Sequence, residues 1–197
     1  MGVSPDRPAG IQWSPIWISL ALWAIFTVYW SVAARGAAAT KTSESPRSRA
    51  VHELLLNAGL LLLFAPVPGL RARWIPGGPV WVGAALCYQA LSLALMIWSR
   101  RHLGRNWSGA ITEKVDHELV RSGPYRFLRH PIYTGFLGMY LGTAAVSGEL
   151  HALIGFAFAL VAYARKIPLE ERNLRNVFGP AYDDYRRHSW ALIPGLF

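Results

Sequence analysis

The sequence predicts an all-α integral membrane protein with about five transmembrane helices. Two features lead to that fold class. Of 197 residues, 53% are hydrophobic and only 16% are charged, whereas a soluble domain carries nearer a quarter charged residues. The apolar residues also fall in five runs, and the basic residues are confined between them.

The first run, residues 11–34, contains no charged residue. The second, residues 54–70, carries Pro66 and Pro68 at its end. The third, residues 74–99, is uncharged and is interrupted near its start by Pro76 and Pro79. Each supplies a helix close to the ~20 residues that cross a bilayer. Trp13, Trp17, Trp30, Trp74, Trp81 and Trp98 stand near the run ends, where indole rings favour the interface. Runs four and five, residues 131–147 and 150–164, are joined by Gly148 and Glu149 alone. So short a link dictates an antiparallel helix hairpin. Gly135, Gly138 and Gly142 fall on successive turns, and such small residues let another helix approach closely, within the chain or between chains. The oligomeric state is therefore open.

Five spans divide the 20 Lys and Arg residues very unequally. Arg7, Arg71 and Arg73 lie on one side, and the remaining 17 lie on the other. Cytoplasmic connections carry the excess of positive charge. The expected topology has the N-terminus outside and the C-terminus in the cytoplasm. The net charge of +9 is thus a property of membrane-flanking loops, and no nucleic-acid partner is expected. Residues 1–12 lack a basic start and a small-residue cleavage site, so no cleaved leader is expected. Cys87 is the one cysteine, which excludes an intrachain disulfide and a cysteine metal cluster. The six histidines show no zinc spacing: Leu56 stands where a partner to His52 would be, and no metal site is expected.

Chemistry is expected in the two polar segments, residues 100–130 and 165–197, which flank the hairpin on the cytoplasmic side. Pro131 suits the first position of a helix. Arg129 and His130 then sit at the positive end of that helix, which attracts carboxylate or phosphate. Arg129 also fits a snorkelling interfacial arginine. Gly123-Pro124 reads as a turn. Pro168 is expected to open a new helix, placing Glu170 and Glu171 in a first turn, where they favour the dipole. Gly179-Pro180 should end that helix and start another carrying Tyr182 and Tyr185.

His117, Leu119, Val120, Gly123, Tyr125, Arg129, His130, Pro131, Tyr133 and Gly135 form one spaced pattern. Glu170, Glu171, Leu174, Phe178, Gly179, Tyr182 and Tyr185 form a second. Together, with Asn106-Trp107 ahead of them, they resemble the isoprenylcysteine carboxyl methyltransferase family. The resemblance covers about residues 100–194. It implies one membrane domain over residues 1–197 without a Rossmann fold, made of three N-terminal helices (residues 11–99) and a catalytic part (residues 100–197) enclosing the hairpin (residues 131–164). It implies S-adenosylmethionine as cofactor, with His117, Leu119, Gly123, Tyr125, His130, Tyr133, Glu170 and Glu171 lining its pocket. Either glutamate would pair with the ammonium of the methionyl part, as a charge-assisted hydrogen bond. Arg129, Glu171, Lys166 and Arg187 are the residues expected to act in catalysis. The partners it implies are the bilayer and a lipophilic small-molecule or lipid-modified acceptor, such as a prenylcysteine carboxylate.

Two departures fall at the acceptor end. Lys166 stands where the family usually has arginine, and lysine does not make arginine's planar two-point contact to a carboxylate. Ala191-Leu192 stand before Ile193-Pro194, where a basic residue is common. A phospholipid amine therefore stays open as acceptor, as does a nicotinamide-dependent membrane reductase related to the sterol reductases.

Overall fold

The computed structural model describes residues 14–35, 40–42, 44–104, 107, 112–114 and 119–195. His117 and Asn106 lie outside the described residues.

Helix α1, Pro15–Ala34, opens on a proline in its first turn. Only Ser19 and Trp23 on it are buried, and Trp17, Ile18, Ile25, Val28 and Val32 are exposed, as lipid-facing positions should be. Helix α2, Pro46–Phe64, begins upstream of the apolar run that starts at residue 54. The Ser45 hydroxyl accepts from Ser48 N–H and caps it, and Arg49 pairs with Glu53 one turn on, at 2.8 Å; both support a polar first half. Helix α3, Pro79–Leu103, starts later than expected because Gly78 adopts φ +122° just before Pro79. It runs past Ser99, with Arg100, Arg101 and His102 in its last turn, where cations suit the dipole. Helices α4 (Pro131–Ser147) and α5 (Leu150–Phe178) form the expected hairpin, and Gly148 turns the chain at φ +70°.

One expectation fails in α5. Pro168 lies inside the helix and does not begin a new one. An interior proline removes one backbone hydrogen bond and costs about 3 kcal/mol in an unsupported helix. Here tertiary contacts hold both sides: Lys166 and Ile167 are buried before it, and Glu171 is ion-paired after it. The two glutamates therefore owe nothing to a helix N-terminus. Helix α6, Pro180–Arg187, follows Gly179 at φ +53° as expected. Strands β1 (Thr40–Thr42) and β2 (Thr112–Lys114) pair antiparallel, a small ribbon that periodicity did not suggest.

Helix α4 packs along α3, and α5 along α2. The glycine face of α4 serves contact within the chain. A Cβ at Gly142 would stand 2.7 Å from Gln89 Cβ, and Gly135 and Gly138 face Met96 and Ser92. A second glycine crossing joins α2 to α5: a Cβ on Gly59 would stand 2.6 Å from the Gly155 carbonyl, and one on Gly155 2.5 Å from that of Gly59. Between α1, α3 and α4, Thr143 Oγ1 accepts from Trp23 Nε1 (2.9 Å) and Gln89 Nε2 (3.0 Å). It donates to the Met139 carbonyl (2.9 Å), with Ser19 Oγ at 3.1 Å. Polar groups at this depth have no water and must find one another.

The connections sort into two ends. The ribbon joins the α1–α2 connection to the segment after α3. At the other end, Trp74 N–H donates to the Gly148 carbonyl (3.0 Å), and Arg71 Nε lies 3.4 Å from Glu149 Oε2. This is the division on which the charge count rests. Helices α1, α3 and α5 are long and apolar enough to cross a membrane; α4 has 17 residues.

Candidate active site

The ends of α4, α5 and α6 converge on one buried ion cluster. Pro131 starts α4, so Arg129 and His130 precede its first turn. Their backbone is fixed by the chain after α6: Arg129 N–H donates to the Trp190 carbonyl (2.8 Å), His130 N–H to that of Ala191 (3.1 Å), and Trp190 N–H to that of Phe127 (3.0 Å). Tyr185 secures the preceding turn, Gly123–Arg126, by donating its hydroxyl to the Tyr125 carbonyl at 2.6 Å.

Glu171 sits at the centre. Its Oε1 is 2.7 Å from Arg129 Nε and 3.4 Å from His130 Nε2, and its Oε2 is 3.3 Å from Arg186 Nε. Arg129 also donates to the carbonyls of Ser189 and Arg186. Glu171 lies beyond the apolar run that ends at Ala164. Burial pushes its carboxyl up, but hydrogen bonding and charge from His130 and Arg129 outweigh that and hold it at about 2. It is a fixed anion held between two arginines and the His130 ring.

Glu170 is placed differently. Its side chain is 28% exposed against 14% for Glu171. Its Oε2 accepts from the Tyr133 hydroxyl at 2.5 Å, and His130 Nδ1 is 3.8 Å away. The His130 ring stacks on that of Tyr133, with centroids 5.3 Å apart and planes 3° apart. Tyr133 in turn meets Tyr163 at 4.5 Å. Lys166 is buried, its Nζ 5.9 Å from the centre of the Tyr133 ring.

Thus Arg129, His130, Tyr133, Lys166, Glu170 and Glu171 are brought together. Gly123, at φ +58°, packs against the His102 ring of α3, where a Cβ would come within 2.7 Å of it. Tyr125 is buried behind Tyr185, and Leu119 is half-buried in the chain leading to this turn. Arg187 is not brought to the cluster. Its side chain is 69% exposed and pairs with Asp184 at 3.2 Å. Arg186 takes the place expected of it. Spacing carried that signal: Tyr182, Tyr185, Arg186 and Ser189 fall at i, i+3, i+4 and i+7, the inward stripe of α6, and Arg187 does not.

A model of the isoprenylcysteine carboxyl methyltransferase family matches residues 83–176, from α3 through both glutamates. Methanethiol S-methyltransferase 2 of Bradyrhizobium diazoefficiens is 31% identical over 199 residues, covering 92% of this chain and 74% of that protein. The chain belongs to the isoprenylcysteine carboxyl methyltransferase family. Within that family, protein-S-isoprenylcysteine O-methyltransferase of Dictyostelium discoideum is 33% identical over 96 residues. That match spans 47% of this chain and only 40% of the Dictyostelium enzyme. A solved structure of the eukaryotic intramembrane Ras methyltransferase of the family superposes with a TM-score of 0.60 at 19% identity, over 94% of this chain and 69% of that one. At that identity it speaks for a shared membrane fold.

Proposed function

We propose that this chain, a single five-span membrane domain with its N-terminus outside, transfers a methyl group from S-adenosylmethionine to a lipophilic acceptor at the cytoplasmic face. The observation that carries the reading is the unequal treatment of the paired glutamates. Glu171 is saturated by Arg129, His130 and Arg186, whereas Glu170 is held by a neutral hydroxyl and is more exposed.

The residues fit S-adenosylmethionine. Its ammonium requires a carboxylate that is not already neutralised, and Glu170 is that group. Its carboxylate requires donors, and no side chain caps the start of α4, whose first amides suit an anion. When bound, it supplies a methyl group already activated on a sulfonium. The protein's task is to align the acceptor and exclude water. Arg129, locked between Glu171 and the chain after α6, keeps the floor of the site rigid. Tyr133 fixes Glu170, and the buried Lys166 offers a cation on the acceptor side without arginine's planar fork.

The acceptor class is framed by the relatives' names, a prenylcysteine carboxylate in one and a small thiol in the other; a phospholipid amine is the remaining candidate. Titration of the purified protein with S-adenosylhomocysteine and with NADPH tests the reading. Micromolar S-adenosylhomocysteine affinity without NADPH binding is expected. NADPH binding alone would replace it with the reductase.

A further inference from the structure

The chain returning from α6 descends to the level of the first turn of α4. Thr134 Oγ1 donates to the Leu192 carbonyl at 2.8 Å, and Trp190 N–H to that of Phe127 at 3.0 Å. Three large apolar side chains are left uncovered there: Phe127 is 62% exposed, Ile193 51% and Trp190 38%. The 17 residues of α4 rise about 25 Å, less than the ~30 Å hydrocarbon core. Its first turn therefore lies at the hydrocarbon edge, and aromatic side chains exposed beside it sit among lipid headgroups.

Phe127 also forms one wall of a cleft of about 410 Å³, shared with Arg121, Arg126, Asp184, Tyr185 and His188. The cleft stands apart from the cluster around Glu170 and Glu171. Asp184 is the one acid in its lining. That carboxylate is engaged by Arg121 and Arg187, each at 3.2 Å, with His188 Nδ1 at 3.7 Å. Arg121 also donates to the Ala181 carbonyl, and its guanidinium lies 5.6 Å from the centre of the Tyr185 ring. The Arg126 guanidinium lies 5.8 Å from the centre of the Phe127 ring, and no carboxylate pairs with it among the described residues.

Cations on the water side and an apolar rim at the hydrocarbon edge repeat the order of phosphate and acyl chain in a phospholipid. We propose that this cleft binds an anionic phospholipid of the cytoplasmic leaflet, its phosphate against Arg126 and Arg121 and its chain along Phe127, Trp190 and Ile193. The proposal rests on the five-span placement above and not on methyl transfer. A guanidinium meets phosphate oxygens at two points, and the cytoplasmic leaflet is rich in anionic lipid. A water-soluble anion would use the cations and leave the apolar rim uncovered. A lipid held here bridges the segment before α4 and the end of α6, the two pieces of chain that bring Arg129 and Arg186 to Glu171.

The purified full chain in detergent is titrated with dioleoyl phosphatidylglycerol, dioleoyl phosphatidylcholine and glycerol 3-phosphate, with bound lipid read by native mass spectrometry. Phosphatidylglycerol should bind at least about fivefold more tightly than phosphatidylcholine, and glycerol 3-phosphate should not displace it. Arg126→Gln should weaken phosphatidylglycerol about fivefold and leave phosphatidylcholine unchanged. Phe127→Ser should weaken both lipids. Arg175→Gln removes the same charge from an exposed arginine paired with Asp183, and should change neither. Equal binding of the two lipids, unaltered binding in Arg126→Gln or Phe127→Ser, or an equal loss in Arg175→Gln would overturn the site. Displacement by glycerol 3-phosphate or by a soluble acidic peptide would also overturn it, in favour of a free anion or a protein partner.

Depth is read separately in vesicles of equal parts phosphatidylcholine and phosphatidylglycerol. A fluorophore on Phe127→Cys, in a Cys87→Ser background, should be quenched by brominated lipid and not by iodide; the reverse would overturn the proposal. The same label on native Cys87, exposed on α3, reports the span itself. Quenching there by iodide alone would overturn the membrane placement and this inference with it.

Discussion

Arg186 of α6 reaches Glu171 of α5, its Nε 3.3 Å from Oε2, while the adjacent Arg187 points to Asp184 at the surface. Two neighbouring arginines thus have opposite roles. Arg186→Ala removes one of the two arginines around a carboxylate that is 14% exposed. It should cost about 1 kcal/mol, and weaken S-adenosylhomocysteine binding. Arg187→Ala should stay within about 0.5 kcal/mol, as exposed pairs do. Thermal unfolding of the two variants in detergent, with ligand titration, checks the contrast.

The low carboxyl of Glu171 makes stability depend on pH. Its folded value, about 2, lies below the ordinary 4.5. A depressed carboxyl contributes stability that is fully present above its unfolded value and is lost as pH falls through the folded one. The stability advantage of wild type over Glu171→Gln should hold constant above about pH 5.5 and decline between about 4.5 and 2, by a few kcal/mol in all. Melting curves across that range measure it; an advantage that grows with acidity would contradict the assignment.

The glycine crossings make a separate prediction. Gly155→Ala drives a Cβ onto the Gly59 backbone, and Gly142→Ala drives one onto Gln89. Each should destabilise by about 1–3 kcal/mol. Gly83, also helical, has open space at its Cβ, so Gly83→Ala should be neutral or stabilising by up to ~1 kcal/mol. Melting temperatures of the three variants decide it.

Thr143→Val keeps shape but leaves the Trp23 and Gln89 donors without their acceptor. A loss of about 1–2 kcal/mol is expected, read as reduced thermal stability with unaltered ligand affinity.

Much of this was legible in the sequence. Composition and run lengths identified the apolar helices, and the two-residue link at Gly148-Glu149 dictated the hairpin. The spacing of the two motifs picked out Arg129, His130, Tyr133, Glu170 and Glu171, which the fold brings together. What stayed hidden depends on contacts distant in sequence. Pro168 reads locally as a helix start, and only the buried flanks of α5 override it. Gly59 and Gly155 lie in separate runs and acquire meaning only where α2 crosses α5. Arg186 and Arg187 are adjacent in the chain, and only the packing of α6 separates the one on Glu171 from the one at the surface.

The proposed methyl transfer places Glu170 at the ammonium of S-adenosylmethionine. Its most direct test is transfer of labelled methyl from S-adenosylmethionine into organic-soluble product by the purified protein supplied with a lipid extract and with thiol and carboxylate acceptors, wild type against Glu170→Gln. The wild type should transfer label, and S-adenosylhomocysteine should bind the variant at least about tenfold more weakly. No transfer to any acceptor, or S-adenosylhomocysteine binding indifferent to Glu170, would contradict it.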